Sequence, residues 1–285
     1  MAKFSNYLSL VKFSHTVFAL PFAFIGFFLA SQNYPTDWPT LLLVVLCMVF
    51  ARSAAMAFNR FIDRDIDLKN PRTATIREIP NGTITPKSAM WFVIVTSLCF
   101  VTTTYFINSL CFILSPVALV IILGYSYTKR FTWLCHLLLG IGLSLSPLGA
   151  YLAVSNQFDI EPIFFSIAVL FWVAGFDIIY ALQDEKFDKK HNLNSIPVLL
   201  GRKKAMLASK LLHLVCFSVL LLSGFYISVG LFYWLGFVCF SLLLIYQHLI
   251  ISENDLSRVN ISFFTTNGIA SLIFGVFVVL ELLIR

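Results

Sequence analysis

Leu41-Leu42-Leu43-Val44-Val45-Leu46-Cys47-Met48-Val49-Phe50-Ala51-Arg52-Ser53-Ala54-Ala55-Met56-Ala57-Phe58 runs straight into Asn59-Arg60-Phe61-Ile62-Asp63-Arg64-Asp65-Ile66-Asp67. An apolar stretch of membrane-crossing length therefore ends in three acids packed within five residues. Continued as a helix, it repeats Asn59, Asp63 and Asp67 every four residues. Four residues turn a helix by about 400°, so the three side chains line one face. Tyr180, Asp184 and Asp188 repeat the arrangement at the end of another apolar run, offset by 121 residues at all three positions. The constant offset suggests a single domain over 1–285 built from two pseudo-repeat halves, roughly 1–130 and 131–285.

The composition agrees with a membrane protein. Of the 285 residues 59% are hydrophobic and only 12% charged, against about a quarter charged in a soluble domain. The mean hydropathy is +0.88. Apolar runs long enough to cross a bilayer fall at roughly 14–31, 40–58, 89–107, 111–128, 133–153, 161–182, 206–224, 229–250 and 263–283. The expected fold is all-α: nine transmembrane helices in one bundle. The net charge of +6 does not form a nucleic-acid patch, because Lys and Arg sit in a few short connections. With a cytoplasmic N-terminus, the inside segments 1–13, 59–88, 129–132, 183–205 and 251–262 hold nearly all of them, and only Arg285 lies outside. Both acidic ladders then lie on the cytoplasmic side. Lys3 and Lys12 precede the first apolar run without a small-residue cleavage pattern, so a retained first span is expected. The six cysteines lie inside apolar runs with no metal-ligand spacing, and no two histidines pair at helical spacing.

Two connections, 68–88 and 189–205, carry repeated Pro, Gly and Asn and are expected to form a cytoplasmic cap of two long loops over the ladders. Acids in or near hydrocarbon are costly and mark function. Aspartates without His or Cys ask for a hard cation, and Mg²⁺ typically bridges one or two carboxylates to substrate phosphates. Arg72, Arg77, Lys87, Lys129 and Arg130 follow nearby and suit phosphate oxygens, so together the groups point to a diphosphate. Asp65 and Arg64 lie off the ladder face and are expected to face solvent or pair locally, and Glu185 is expected to be exposed. Asp177, one heptad before Asp184, is either an inner ligand, a proton acceptor or half of an intramembrane hydrogen bond. Arg52 lies two turns deeper than Asn59 on the same face. It either pairs with Asp177 or a carbonyl, or anchors the carboxylate of a small substrate.

These motifs have a family likeness. NRFIDRDID followed by NPRT and IPNG resembles the first aspartate motif of the UbiA family of membrane prenyltransferases, YALQDEKFD resembles its second, and Tyr125 to Arg130 resembles the segment between them. The nine spans are similar to the family fold over the whole chain. The resemblance implies Mg²⁺-dependent transfer of an isoprenyl group from a polyprenyl diphosphate to an aromatic acceptor. Asp63, Asp67, Asp184 and Asp188 would be the metal-holding catalytic acids; Asn59, Arg72, Lys129 and Arg130 would hold the diphosphate. Tyr125 or Tyr127 would stabilise an allylic cation through its π face, and the cap would exclude water. Arg52 sits where 4-hydroxybenzoate-type members carry an arginine for the acceptor's carboxylate. That implies 4-hydroxybenzoate, for ubiquinone, or a dihydroxynaphthoate, for menaquinone. A non-carboxylate acceptor such as haem is the alternative. From another class, a transporter would also have duplicated halves and buried charge, but with a midplane site. The DxxDGxxAR pattern of CDP-alcohol phosphotransferases is absent, since Asp67 continues into Leu68-Lys69.

Overall fold

The computed structural model describes residues 4–11 and 18–285. After the short helix α1 (Phe4–Leu10) come α2 (Leu20–Ala30), α3 (Trp38–Ile62), α4 (Arg64–Lys69), α5 (Pro86–Ile107) and α6 (Ser109–Thr128). The second half holds α7 (Cys135–Ser155), α8 (Glu161–Ala181), α9 (Glu185–Lys190), α10 (Ile196–Ile227), α11 (Leu231–Leu249) and α12 (Asn267–Ile284). Among the described residues eight helices are long and apolar enough to cross a membrane, and Leu20–Ala30 is a shorter apolar ninth. All nine expected spans thus have a helix. Residues 14–17 of the first span, with Lys3 and Lys12, lie outside the described residues.

Local chemistry sets the helix ends. Asp37, Thr85, Asn108 and Ser195 each accept a hydrogen bond from a backbone N–H in the first turn that follows. Pro lies in the first two positions of α2, α3, α5, α8 and α10, where no partner for its missing N–H is needed. The second expected loop is largely helical. Helix α9 runs to Lys190, Asn192 turns the chain with φ 54°, and the Ser195 cap restarts it at Ile196. Gly201 (φ 74°) then bends α10, which is why its first turns read as a loop in the sequence.

Helix α8 is the most enclosed element. Phe165, Val169, Trp172, Val173 and Phe176 are all buried against neighbours that include Phe22, Phe240 and Phe274. Without a strong hydrophobic force between helices in lipid, close approach through small residues holds such a bundle. A Cβ on Gly140 of α7 would stand 2.4 Å from the Leu170 carbonyl oxygen of α8, and one on Gly26 of α2 would stand 2.0 Å from that of Pro147. We expect Gly140→Ala to lower the unfolding temperature in detergent by several degrees. Gly124→Ala, which meets nothing within 4 Å, should leave it unchanged or slightly raised. Equal thermal shifts in the two variants would refute this account of the α7–α8 contact.

Candidate active site

Both ladders cross a break in their helix at the middle acid. Helix α3 stops at Ile62, Asp63 takes φ −87° and ψ 3°, and α4 begins at Arg64. In the second half, the tighter turn Leu182–Asp184 separates α8 from α9. The Asp63 and Asp67 amides still reach the carbonyls four residues back, at 2.9 and 2.8 Å, so the chain bends without losing its ladder of bonds.

Each of the four acids holds a different cation. Arg130 reaches Asp63 at 2.9 Å, Arg77 pairs with Asp67, Arg72 grips Asp184 with both Nε and Nη2, and Lys129 reaches Asp188 at 2.7 Å. Asn59 donates to Asp63 (3.1 Å) and Asn70 to Asp184 (3.1 Å). Arg72 also donates to the Tyr180 hydroxyl at 2.9 Å. Lys129 and Arg130 are neighbours in sequence yet pair with opposite ladders, and Arg72 carries the first connection across to the second ladder. The two ladders therefore meet at one end of the bundle. Asp188 is 1% exposed, and among the described residues its Oδ1 has no hydrogen-bond partner.

The charges respond to this setting. Burial pushes the Asp63 carboxyl above the usual carboxylate range, opposed by Arg130. Burial works against the Lys129 ammonium, but Asp188 more than offsets it and its pKa lies above the ordinary lysine value. Arg72 is raised in the same way, its burial outweighed by the bond to Asp184.

Beneath this end lies a cavity of about 350 Å³ between α3, α5, α6 and α7. Arg52, Met56 and Tyr125 line it near the ladders, and Phe158, from the connection after α7, lines its far end. Its α6 wall, from Cys111 to Tyr125, is about 21 Å long at 1.5 Å per residue. Nearly all of the lining is apolar. Among the described residues the Arg52 Nε has no hydrogen-bond partner. Pairing with Asp177 does not occur, because Asp177 is taken by His136 at 2.7 Å, whose other nitrogen accepts the Ile196 amide at 3.3 Å.

Other expectations fare differently. Tyr127 lies two residues, about 200° of helix, from Tyr125. It is 42% exposed and edge-on to Phe58, so only Tyr125 lines the cavity. Lys87 is exposed at the start of α5, and Arg64 pairs with exposed Asp65 at 3.7 Å as expected. Glu185 is not exposed but half-buried, because Arg202 holds it at 2.7 Å. The sequence reading missed His136, Asn70 and Arg60. Arg60, buried one heptad before Asp67, was signalled by its spacing; the other two were not.

The site can hold a hard cation in terms of chemistry, since its acids offer only oxygen donors and one of those oxygens, Asp188 Oδ1, is buried without a hydrogen-bond partner among the described residues. They are spread over four ion pairs, and among the described residues no three His, Cys, Asp or Glu already converge on a metal position.

A sequence profile of the UbiA prenyltransferase family matches residues 19–269. The chain belongs to this family. It is a prenyltransferase, with the all-α membrane fold of that family. A relative from Aliivibrio fischeri (strain MJ11), named 4-hydroxybenzoate octaprenyltransferase, is 32% identical over 87% of this chain and 85% of its own. The apo structure of a UbiA homologue from Aeropyrum pernix K1 superposes with a TM-score of 0.85 at 33% identity, covering 94% of this chain and 98% of that one. A UbiA homologue from Archaeoglobus fulgidus bound to DMAPP and Mg²⁺ shares the fold, with a TM-score of 0.69 at 23% identity over 98% and 100% of the chains.

Arg72 is the main tie between the first connection and the second ladder. Hydrogen bonds to charged groups contribute about 1.5–3 kcal/mol each. Arg72→Ala should therefore speed amide exchange across Asn70–Gly82 at least tenfold, read by hydrogen-exchange mass spectrometry. Unchanged exchange there would show that the connection is held by something else.

Proposed function

We propose that this prenyltransferase moves a polyprenyl group from polyprenyl diphosphate to a ring carbon of a hydroxylated aromatic acid, in the synthesis of a quinone. The observation that carries the acid as acceptor is the unpaired Arg52 guanidinium at the wall of an otherwise apolar cavity, beside Tyr125. The fork of a guanidinium matches a carboxylate in two bonds, and a half-buried cation within a membrane span, with no counter-ion among the described residues, is too costly to keep for packing alone. The name carried by the Aliivibrio relative, 4-hydroxybenzoate octaprenyltransferase, supports the same acceptor class. A dihydroxynaphthoate offers the same carboxylate and phenol, and stays within the proposal.

Asp63, Asp67, Asp184 and Asp188 would hold Mg²⁺. When bound, the metal neutralises the diphosphate and makes it a better leaving group. Asn59, Arg72, Lys129 and Arg130 bind the diphosphate oxygens at the ladder end, and the prenyl tail lies along the apolar cavity. As the allylic C–O bond breaks, negative charge grows on the diphosphate, where these cations already stand. The π face of Tyr125 stabilises the allylic cation, and Arg52 orients the aromatic acid so that its electron-rich ring attacks. The connection 70–85, tied down by Arg72, keeps water from the cation. The lysine and arginine bias of the connections supports a site on the cytoplasmic face, with the N-terminus on the same side.

The test is prenyl transfer by purified protein in lipid, with Mg²⁺, a polyprenyl diphosphate, and 4-hydroxybenzoate and a dihydroxynaphthoate side by side. We expect one acid to be prenylated, with the product lost on chelation by EDTA and reduced about 10²-fold or more in Asp63→Ala. Arg52→Ala should raise the acceptor KM roughly 10-fold or more with little change in kcat, the mark of lost ground-state binding. Turnover of a phenol lacking the carboxylate, with neither acid accepted, would overturn the acceptor assignment.

A further inference from the structure

Helix α3 carries a second buried arginine. Arg60 is 8% exposed, and among the described residues its Nε has no hydrogen-bond partner. Arg72, Arg77, Lys129 and Arg130 each hold an acid, whereas Arg60 forms no ion pair among the described residues. Its electrostatic neighbours are Arg77, Asp67, Glu78 and Tyr125. Asp67 is already taken by Arg77, and Glu78 accepts a hydrogen bond from Ser9. By helical count Arg60 stands three residues before Asp63 and seven before Asp67, which puts it beside their face. It also stands four residues after Met56, which lines the cavity near the ladders. The chain thus keeps a desolvated guanidinium that lies near Asp67 and Glu78 but forms no ion pair with either among the described residues.

We propose that Arg60 is a further diphosphate-binding residue, reaching the diphosphate from the cavity side while Arg72, Lys129 and Arg130 approach from the cap. This rests on the prenyl-transfer reading above. It also accounts for the spacing of the two unpaired arginines on α3. Arg52 and Arg60 are eight residues apart, about 12 Å along the helix. The reaction brings together two anionic groups at a similar separation. With the reacting carbons about 3–3.5 Å apart, the acceptor's carboxylate lies on the order of 10 Å from the diphosphate. One arginine serves each anion. The guanidinium suits a phosphate because it donates two parallel charge-assisted bonds.

The experiment measures calorimetric binding of farnesyl thiodiphosphate with Mg²⁺ to the full chain in lipid, for wild type, Arg60→Gln, Arg60→Lys and the control Arg64→Gln, a half-buried arginine paired with Asp65. Arg60→Gln should weaken binding about 10- to 100-fold and Arg60→Lys less, because it keeps the charge but loses the fork. Arg64→Gln should bind as wild type does. In turnover, Arg60→Lys should raise the KM for the diphosphate and leave that for the acceptor unchanged, the reverse of Arg52→Lys. If wild type binds and both Arg60 variants bind equally well, with only a lower unfolding temperature, Arg60 serves Glu78 within the fold. The inference then fails while the prenyl-transfer reading stands. Should Arg60→Gln not fold, Arg60→Lys decides alone: weaker binding supports the assignment and unchanged binding overturns it. If wild type does not bind the thiodiphosphate with Mg²⁺, the reading fails and the inference falls with it.

Discussion

Four carboxylates gathered at one end of a membrane bundle can stay ionised only if each finds a cation, and that requirement shapes the cap. The four cations come from different places: Arg72 and Arg77 from the connection after α4, Lys129 and Arg130 from the end of α6. No single helix could present them all to both ladders. The connection after α4 must fold back over the site for Arg72 to reach Asp184, and α6 must end between the two ladders for its last cations to divide between them. Removing one partner leaves a buried charge, which costs far more than the pair contributes. The irregular backbone at this end is therefore held by charge, while the spans beneath it are held by close packing.

The same pairing suits the proposed chemistry. At rest the acids and cations form a balanced set, so the unliganded site buries no net charge in these four pairs. A diphosphate arriving with its metal brings both signs. The acids can turn toward the metal while Arg72, Lys129 and Arg130 turn toward phosphate oxygens, and the balance survives the exchange. Buried groups that are already paired need only short movements to change partners. Arg52 and Arg60 stand apart from this set because neither forms an ion pair among the described residues, which makes each available to the outside anion proposed for it.

Much of this could be read from the sequence. The nine spans follow from apolar runs of bilayer length, and the ladders from acids at a period of four. Pairing was less legible. Asp177 showed in the sequence as a buried acid, but its partner His136 lies 41 residues away with no shared spacing, and only the packing of α7 on α8 joins them. Glu185 looked solvated because nothing local announces Arg202, which reaches it after the bend at Gly201. Tyr125 and Tyr127 stood as equals until the helix phase put only the first at the cavity. Arg60 is the instructive miss. Its heptad spacing to Asp67 was visible, but an arginine beside a membrane-end motif reads as a surface charge until its burial is known.

The break at the middle acid of each ladder links these levels. On a straight helix Asp67 would stand about 6 Å beyond Asp63 along the axis, and Asp188 about 6 Å beyond Asp184. Each would also be rotated by about 40° from the acid before it. The outer acids would then stand clear of the bundle, in water, where pairing with Arg77 or Lys129 would contribute little. Asp63 and the turn Leu182–Asp184 instead bend the chain, and Asp67 and Asp188 end up buried at 4% and 1% exposure. Burial is what makes their charge strong enough to demand a partner at rest. It also makes that charge available, undamped by solvent, to a ligand that replaces the partner.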